Sequence, residues 1–95
     1  MSEAKQYRKK PIEAMQWTGK DEDIADILDW TNRRAFIKHY HDERNALFLR
    51  QPVGNKMSIA VVAKGDWIIK GYDGETFYIC PAELFSLTFD EVTNE

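Results

Sequence analysis

The run Gly65-Asp66-Trp67-Ile68-Ile69-Lys70-Gly71-Tyr72-Asp73-Gly74-Glu75-Thr76-Phe77-Tyr78-Ile79-Cys80 decides the fold class. Two short β-branched and aromatic segments, Asp66–Lys70 and Glu75–Cys80, flank a turn centred on Tyr72-Asp73-Gly74. Asp-Gly between apolar strands signals a hairpin, because glycine accepts the positive φ such a turn demands. Upstream, Ala35–Tyr40, Ala46–Gln51 and Met57–Ala63 are runs of the same kind. Turn residues divide them: Asp42-Glu43-Arg44-Asn45, Pro52-Val53-Gly54-Asn55 and Lys64-Gly65. Further back, Ile12–Trp17 comes close to apolar alternation and reads as a first strand, broken by Thr18-Gly19.

Asp21–Thr31 has the marks of a helix. Asp21, Glu22 and Asp23 suit the positive end of a helix dipole, and Asp21 can cap a free backbone N–H. Ile24, Ile27, Leu28 and Thr31 fall at helical spacing, which leaves Asp26 and Asp29 outward. Pro81 opens a last helical turn over residues 82–86 that presents Leu84 and Phe85 inward, and Leu87–Val92 reads as an edge strand. The expected architecture is α+β: one small antiparallel or mixed sheet of about five to seven short strands, with one main helix on a face.

A chain of 95 residues has room for one small domain. Residues 1–10 read as a flexible basic arm, 11–92 as the domain and 93–95 as a frayed acidic tail. With 43% apolar and 31% charged residues, the composition is too apolar for a disordered chain and too charged for a membrane protein. The longest apolar run, Ile59–Ala63, falls far short of the roughly 20 residues a bilayer requires. The polar, basic opening does not read as a secretory signal. The single cysteine, Cys80, cannot form an internal disulfide, so a reducing cytoplasm is expected.

The net charge of -3 hides alternating blocks. Residues 21–31 hold five acids and no base, and 71–95 hold six acids and no base, whereas 1–20 and 32–70 are net basic. Such blocks either steer partners or neutralise one another across the fold. A general nucleic-acid binder is basic overall, and this chain is not.

Catalytic constellations are sparse. His39 and His41 project from one strand face and form a weak metal pair, with Asp42 and Glu43 nearby, but zinc needs three or four ligands. Cys80 sits in Phe77-Tyr78-Ile79-Cys80-Pro81, the setting of a buried strand end with no adjacent base. Asp66 reads as closing a turn through a carboxylate–amide bond, with Trp67 starting the strand. No glycine-rich phosphate loop, nucleophile elbow or paired-carboxylate spacing occurs, and no cofactor is expected.

Aromatic residues make up 13% of the chain and point instead to binding. Trp17, Trp30, Tyr40 and Tyr72 lie at element ends, where side chains are half exposed, and Arg33-Arg34 beside Trp30 suits an anionic or aromatic partner. The candidate binding set is Trp30, Arg33, Arg34, Trp67, Lys70 and Tyr72, with Asp26 and Asp29 on the outer helix face.

Two separated stretches carry a resemblance. Tyr7-Arg8-Lys9-Lys10-Pro11-Ile12-Glu13-Ala14-Met15-Gln16-Trp17-Thr18-Gly19 is similar to the opening of a widespread group of small bacteriophage and prophage proteins. Gly65-Asp66-Trp67-Ile68-Ile69-Lys70-Gly71, Gly74-Glu75, Phe77-Tyr78, Cys80, Phe85 and Thr88-Phe89 resemble the C-terminal signature of the same group. The second stretch also resembles, more loosely, the proteins named for a Pro-Gly-Asp-Tyr-Gly motif, with Lys64 in place of the proline. Pro81-Ala82 stands where the phage group has Lys-Pro, and Phe89 where it has a late tyrosine. The resemblance implies phage or prophage origin, a small α+β domain and residence in a bacterial host's cytoplasm, and it implies no particular activity.

The leading expectation is a non-catalytic accessory protein that binds a host protein, in host takeover or counter-defence. One alternative is a small-ligand or nucleotide binder, with Trp67 or Tyr72 lining the pocket and Arg33, Arg34 or Lys70 supplying charge for a small anionic ligand. Another is a minor structural or oligomeric phage component, since edge strands and exposed aromatics allow a homodimer. A catalytic role would fall to Cys80 or to the His39 and His41 pair.

Overall fold

A computed structural model describes residues 4–7, 10–39 and 45–92. It holds six strands and two helices: β1 (Glu13–Gln16), α1 (Ile24–Trp30), β2 (Ala35–His39), β3 (Asn45–Val53), β4 (Lys56–Val62), β5 (Trp67–Lys70), β6 (Phe77–Cys80) and α2 (Ala82–Thr88). The α+β class is as expected, but the strands form two antiparallel three-stranded sheets, ordered β1-β5-β6 and β2-β3-β4, where one was expected. The break falls at Lys64-Gly65. There the chain stops following β4 and turns to β1: the Gly65 N–H donates to the Trp17 carbonyl at 2.7 Å, and the Trp17 N–H donates to the Asp66 carbonyl at 2.9 Å. Fixed by these two bonds, Trp17 is only 4% exposed, a core residue and not the half-exposed one its position at a strand end suggested.

α1 is preceded by a 3-10 turn at Asp21–Asp23. Lys20 occupies the position before that turn, so Asp21 stands inside the first turn, and no side-chain cap bond is made at Lys20 or Asp23. The Asp23 carboxylate instead accepts the Thr18 hydroxyl at 3.0 Å. Ile27 and Thr31 are fully buried, Ile24 and Leu28 pack against the core, and Asp26 and Asp29 face solvent as the helical spacing predicted. Thr31 joins helix to sheet: its hydroxyl donates to the Ile27 carbonyl at 2.8 Å and accepts the Ala35 N–H at 3.2 Å. The two hydrogen bonds couple the last turn of α1 to the first amide of β2.

The core lies between the two sheets and α1. Leu47, Leu49, Ala35 and Val62 come from β2-β3-β4, Ile68 and Phe77 from β5-β6, and Ile27 from α1. The Gln51 side-chain oxygen accepts the Ile79 N–H at 3.2 Å and ties β3 to the outer edge of β6. β2 begins at Ala35 opposite Leu49, and past the bond from the Arg50 N–H to the Arg34 carbonyl β3 and β4 continue as a two-stranded ribbon. Pro52 is tolerated within β3 because it lies on this ribbon, where no third strand requires its missing N–H. The ribbon closes through Gly54, whose φ of 61° fits the first central position of a two-residue type II′ turn.

At the C-terminus, Leu87–Val92 is not an edge strand. α2 runs on to Thr88, and the Phe89 N–H still donates to the Phe85 carbonyl at 2.9 Å before the chain extends without pairing. Leu84 is 53% exposed, not inward as expected. Neighbouring helix positions point about 100° apart, and Phe85 takes the inward one.

Candidate functional site

Three of the expected binding residues meet in one place. Trp30, Trp67 and Tyr72 line an open groove of about 730 Å³ with Phe85 and Phe89 of the C-terminal segment. Its aromatic floor is ordered. The Trp67 and Phe85 rings are parallel within 4° at 4.1 Å between centroids, and Phe89 continues the row at 5.1 Å from Phe85. Trp30 packs edge-on to buried Phe77 at 5.3 Å, so it is anchored in the core while still lining the groove.

Two extended pieces of chain form the walls. Residues 10–14 supply one and residues 88–92 the other. β1 is an edge strand. Because Trp17 bonds toward β5 through both its N–H and its C=O, alternation along the strand turns the backbone groups of Ala14 and Gln16 away from β5. The Tyr72 hydroxyl donates to the Lys10 carbonyl at 2.6 Å, which pins the start of that wall to the β5–β6 turn. Glu13 is paired with Lys70 at 3.5 Å, while Asp90 and Glu91 on the opposite wall make the groove acidic on balance, with Lys10 the base that lines it.

The other expected residues lie elsewhere. Lys70 stands over the Trp30 ring at 5.9 Å. Arg34 lies over Phe77 at 5.9 Å, and Arg33 is exposed in the left-handed region at φ 65°. Asp26 and Asp29 are exposed on α1 and do not line the groove. His39 belongs to β2, but His41, with Tyr40, Asp42 and Glu43, lies outside the described residues. Among the described residues no group of three or more His, Cys, Asp or Glu is gathered to hold a metal.

Cys80 is buried at the end of β6, as expected. Burial, reinforced by Asp66, pushes its thiol above the usual range, which favours the protonated and unreactive form. Asp66 closes the local turn through its backbone, its N–H donating to the Ala63 carbonyl at 3.0 Å, but its carboxylate bonds outside the turn, accepting the Ala82 N–H at 3.3 Å and holding the start of α2. The carboxylate that organises a turn is Asp73. It accepts the amides of Glu75 and Thr76 at 2.9 Å each and the Thr76 hydroxyl. The Thr76 hydroxyl bond and the two amides keep this carboxyl below its usual range.

Phe85 and Phe89 line the groove but lie outside the binding set expected from the sequence. Their i, i+4 spacing was the available signal, since on a helix it stacks both rings on one face. No protein-family model matches the chain, and neither a curated protein nor a solved structure does. Among the described residues no helix is long and apolar enough to cross a membrane.

Proposed function

We propose that this is a small accessory protein of phage or prophage origin that acts without catalysis, by binding a host protein through the aromatic groove. The observation that supports this reading is the groove's construction: an aromatic row running beside the free edge of a strand. Such an edge offers amides and carbonyls to an extended peptide, while the rings take its alternate side chains. Tyr and Trp are common anchors in protein interfaces. The acidic balance of Asp90 and Glu91 favours a basic host segment over a nucleotide, and Arg33 and Arg34 lie outside the groove.

The test is capture from bacterial lysate by protein coupled through a long flexible linker, with and without nuclease, read by mass spectrometry. One stoichiometric, nuclease-resistant protein is expected. Phe89→Ala should abolish its capture, and Asp90→Lys with Glu91→Lys should weaken it. Capture that survives all of these changes, or that needs nucleic acid, rejects the groove. Loss with Asp26→Lys and Asp29→Lys alone would move the site to the helix face.

A further inference from the structure

The second sheet has a surface that the groove does not use. Between Lys56 and Lys64 the chain reads Met57-Ser58-Ile59-Ala60-Val61-Val62-Ala63, without charge, proline or glycine. This is β4, an edge strand, and among the described residues no strand pairs with its outer side. Met57, Ile59 and Val61 share the face away from the core and are 60%, 56% and 54% exposed. The closing pair of the type II′ turn, Val53 with Lys56, is a hydrogen-bonded one, so alternation directs the backbone groups of Met57, Ile59 and Val61 outward.

Edge strands are normally blunted by charge, proline, a bulge or a cover. The other edges here show such devices. β6 has Gln51 on its outer side, β2 carries Lys38, and β1 is only four residues long and borders the groove. β4 has none along its middle. The cations of the same face are also held back from it. Arg50 lies over Phe36 at 5.3 Å and Lys38 over Phe48 at 5.5 Å, with the two rings stacked at 5.6 Å on the β2–β3 side.

We infer that β4 is a two-fold pairing edge, joining two copies of this chain antiparallel with Ile59 opposite Ile59. The pattern is complementary to itself about that residue. Met57 falls opposite Val61 of the second copy, Ser58 opposite Ala60, and Lys56 opposite Val62, so no like charges meet. Each copy contributes the three outward N–H and C=O pairs of Met57, Ile59 and Val61, and the two sheets become one continuous antiparallel sheet. A seam of this length is at the small end of specific interfaces, so the dissociation constant is on the order of micromolar. The pairing is independent of the groove, which belongs to the other sheet.

Sedimentation over a concentration series tests it. The wild-type chain is expected to pass from monomer to dimer between about 1 µM and about 500 µM, and its Tm should rise with concentration. Ile59→Lys or Ile59→Glu alone should weaken the dimer at least about a hundredfold, because each variant sets a charge against its own copy. Mixing the two variants should restore it, since only the symmetric register places position 59 opposite itself. Ile59 is more than half exposed, so both variants keep the folded monomer. A wild-type chain that stays monomeric with a flat Tm overturns the inference. So does a dimer that tolerates Ile59→Lys, or a mixture that fails to reassociate.

Discussion

The two sheets have the same number of strands but are built in opposite ways. β2-β3-β4 is a meander of chain neighbours, with its core face toward α1 and its other face largely bare. β1-β5-β6 joins the start of the domain to its end, pairing Glu13 with Lys70 and Gln16 with Trp67, and its free edge is lined by chain that belongs to no strand. The difference teaches that local pairing leaves a regular, repetitive surface, whereas distant pairing gathers unlike residues into a site. A seam suits the first, and a groove suits the second.

The strongest way to break this comparison is through the core that both sheets share. Phe77→Ala empties a fully buried position of β6 and should cost about 3–5 kcal/mol in denaturant unfolding. That is a large part of the stability of a domain this small. Phe48→Ala, on the bare face of β3, removes a half-buried ring and should cost about 1–2 kcal/mol. Equal losses would mean that the outer stack of Phe36 and Phe48 is as much a core as the inner one.

The hairpin turns sharpen the contrast. The β3–β4 turn depends on backbone conformation, so Gly54→Ala, forced to φ 61°, should cost about 1 kcal/mol although nothing crowds the site. The β5–β6 turn depends on a carboxylate, and its weakness is acid. Asp73 titrates below its usual value of about 3.8, so its stabilising contribution is complete above that value and is lost as pH falls through the lower folded one. Melting curves between about pH 5 and about pH 2 should therefore fall less steeply for Asp73→Asn than for the wild type, a small effect because the turn is exposed.

The placement of strands was legible because alternation and turn residues are local signals. Ala35–His39, Trp67–Lys70 and Phe77–Cys80 fall within the segments their β-branched and aromatic residues predicted. The division into two sheets was not, because it rests on which strands pair, and the bond from Gly65 to Trp17 is between residues far apart in sequence. For the same reason Trp17 read as half exposed and the Asp66 carboxylate as bonding within its own turn, although it accepts the Ala82 N–H. In the groove, Trp30, Trp67 and Tyr72 were legible as aromatic residues of binding type. Phe85 and Phe89 were missed because Leu87–Val92 alternates well enough to pass for a strand, and that reading cut α2 short of the i, i+4 pair.

Both walls of the groove, residues 10–14 and 88–92, come from opposite ends of the folded domain, and of these ten residues only Glu13, Ala14 and Thr88 belong to a helix or strand. The two ends are therefore neighbours across one opening, the arrangement that circular permutation uses. A linker joining them would lay a covalent strap along the mouth of the groove, and new ends could be opened at Gly54-Asn55 on the other sheet. Proteolytic trimming works in the opposite direction. A cut after Thr88 removes most of one wall yet leaves every strand and both helices in place, so the groove can be dismantled without unfolding the protein.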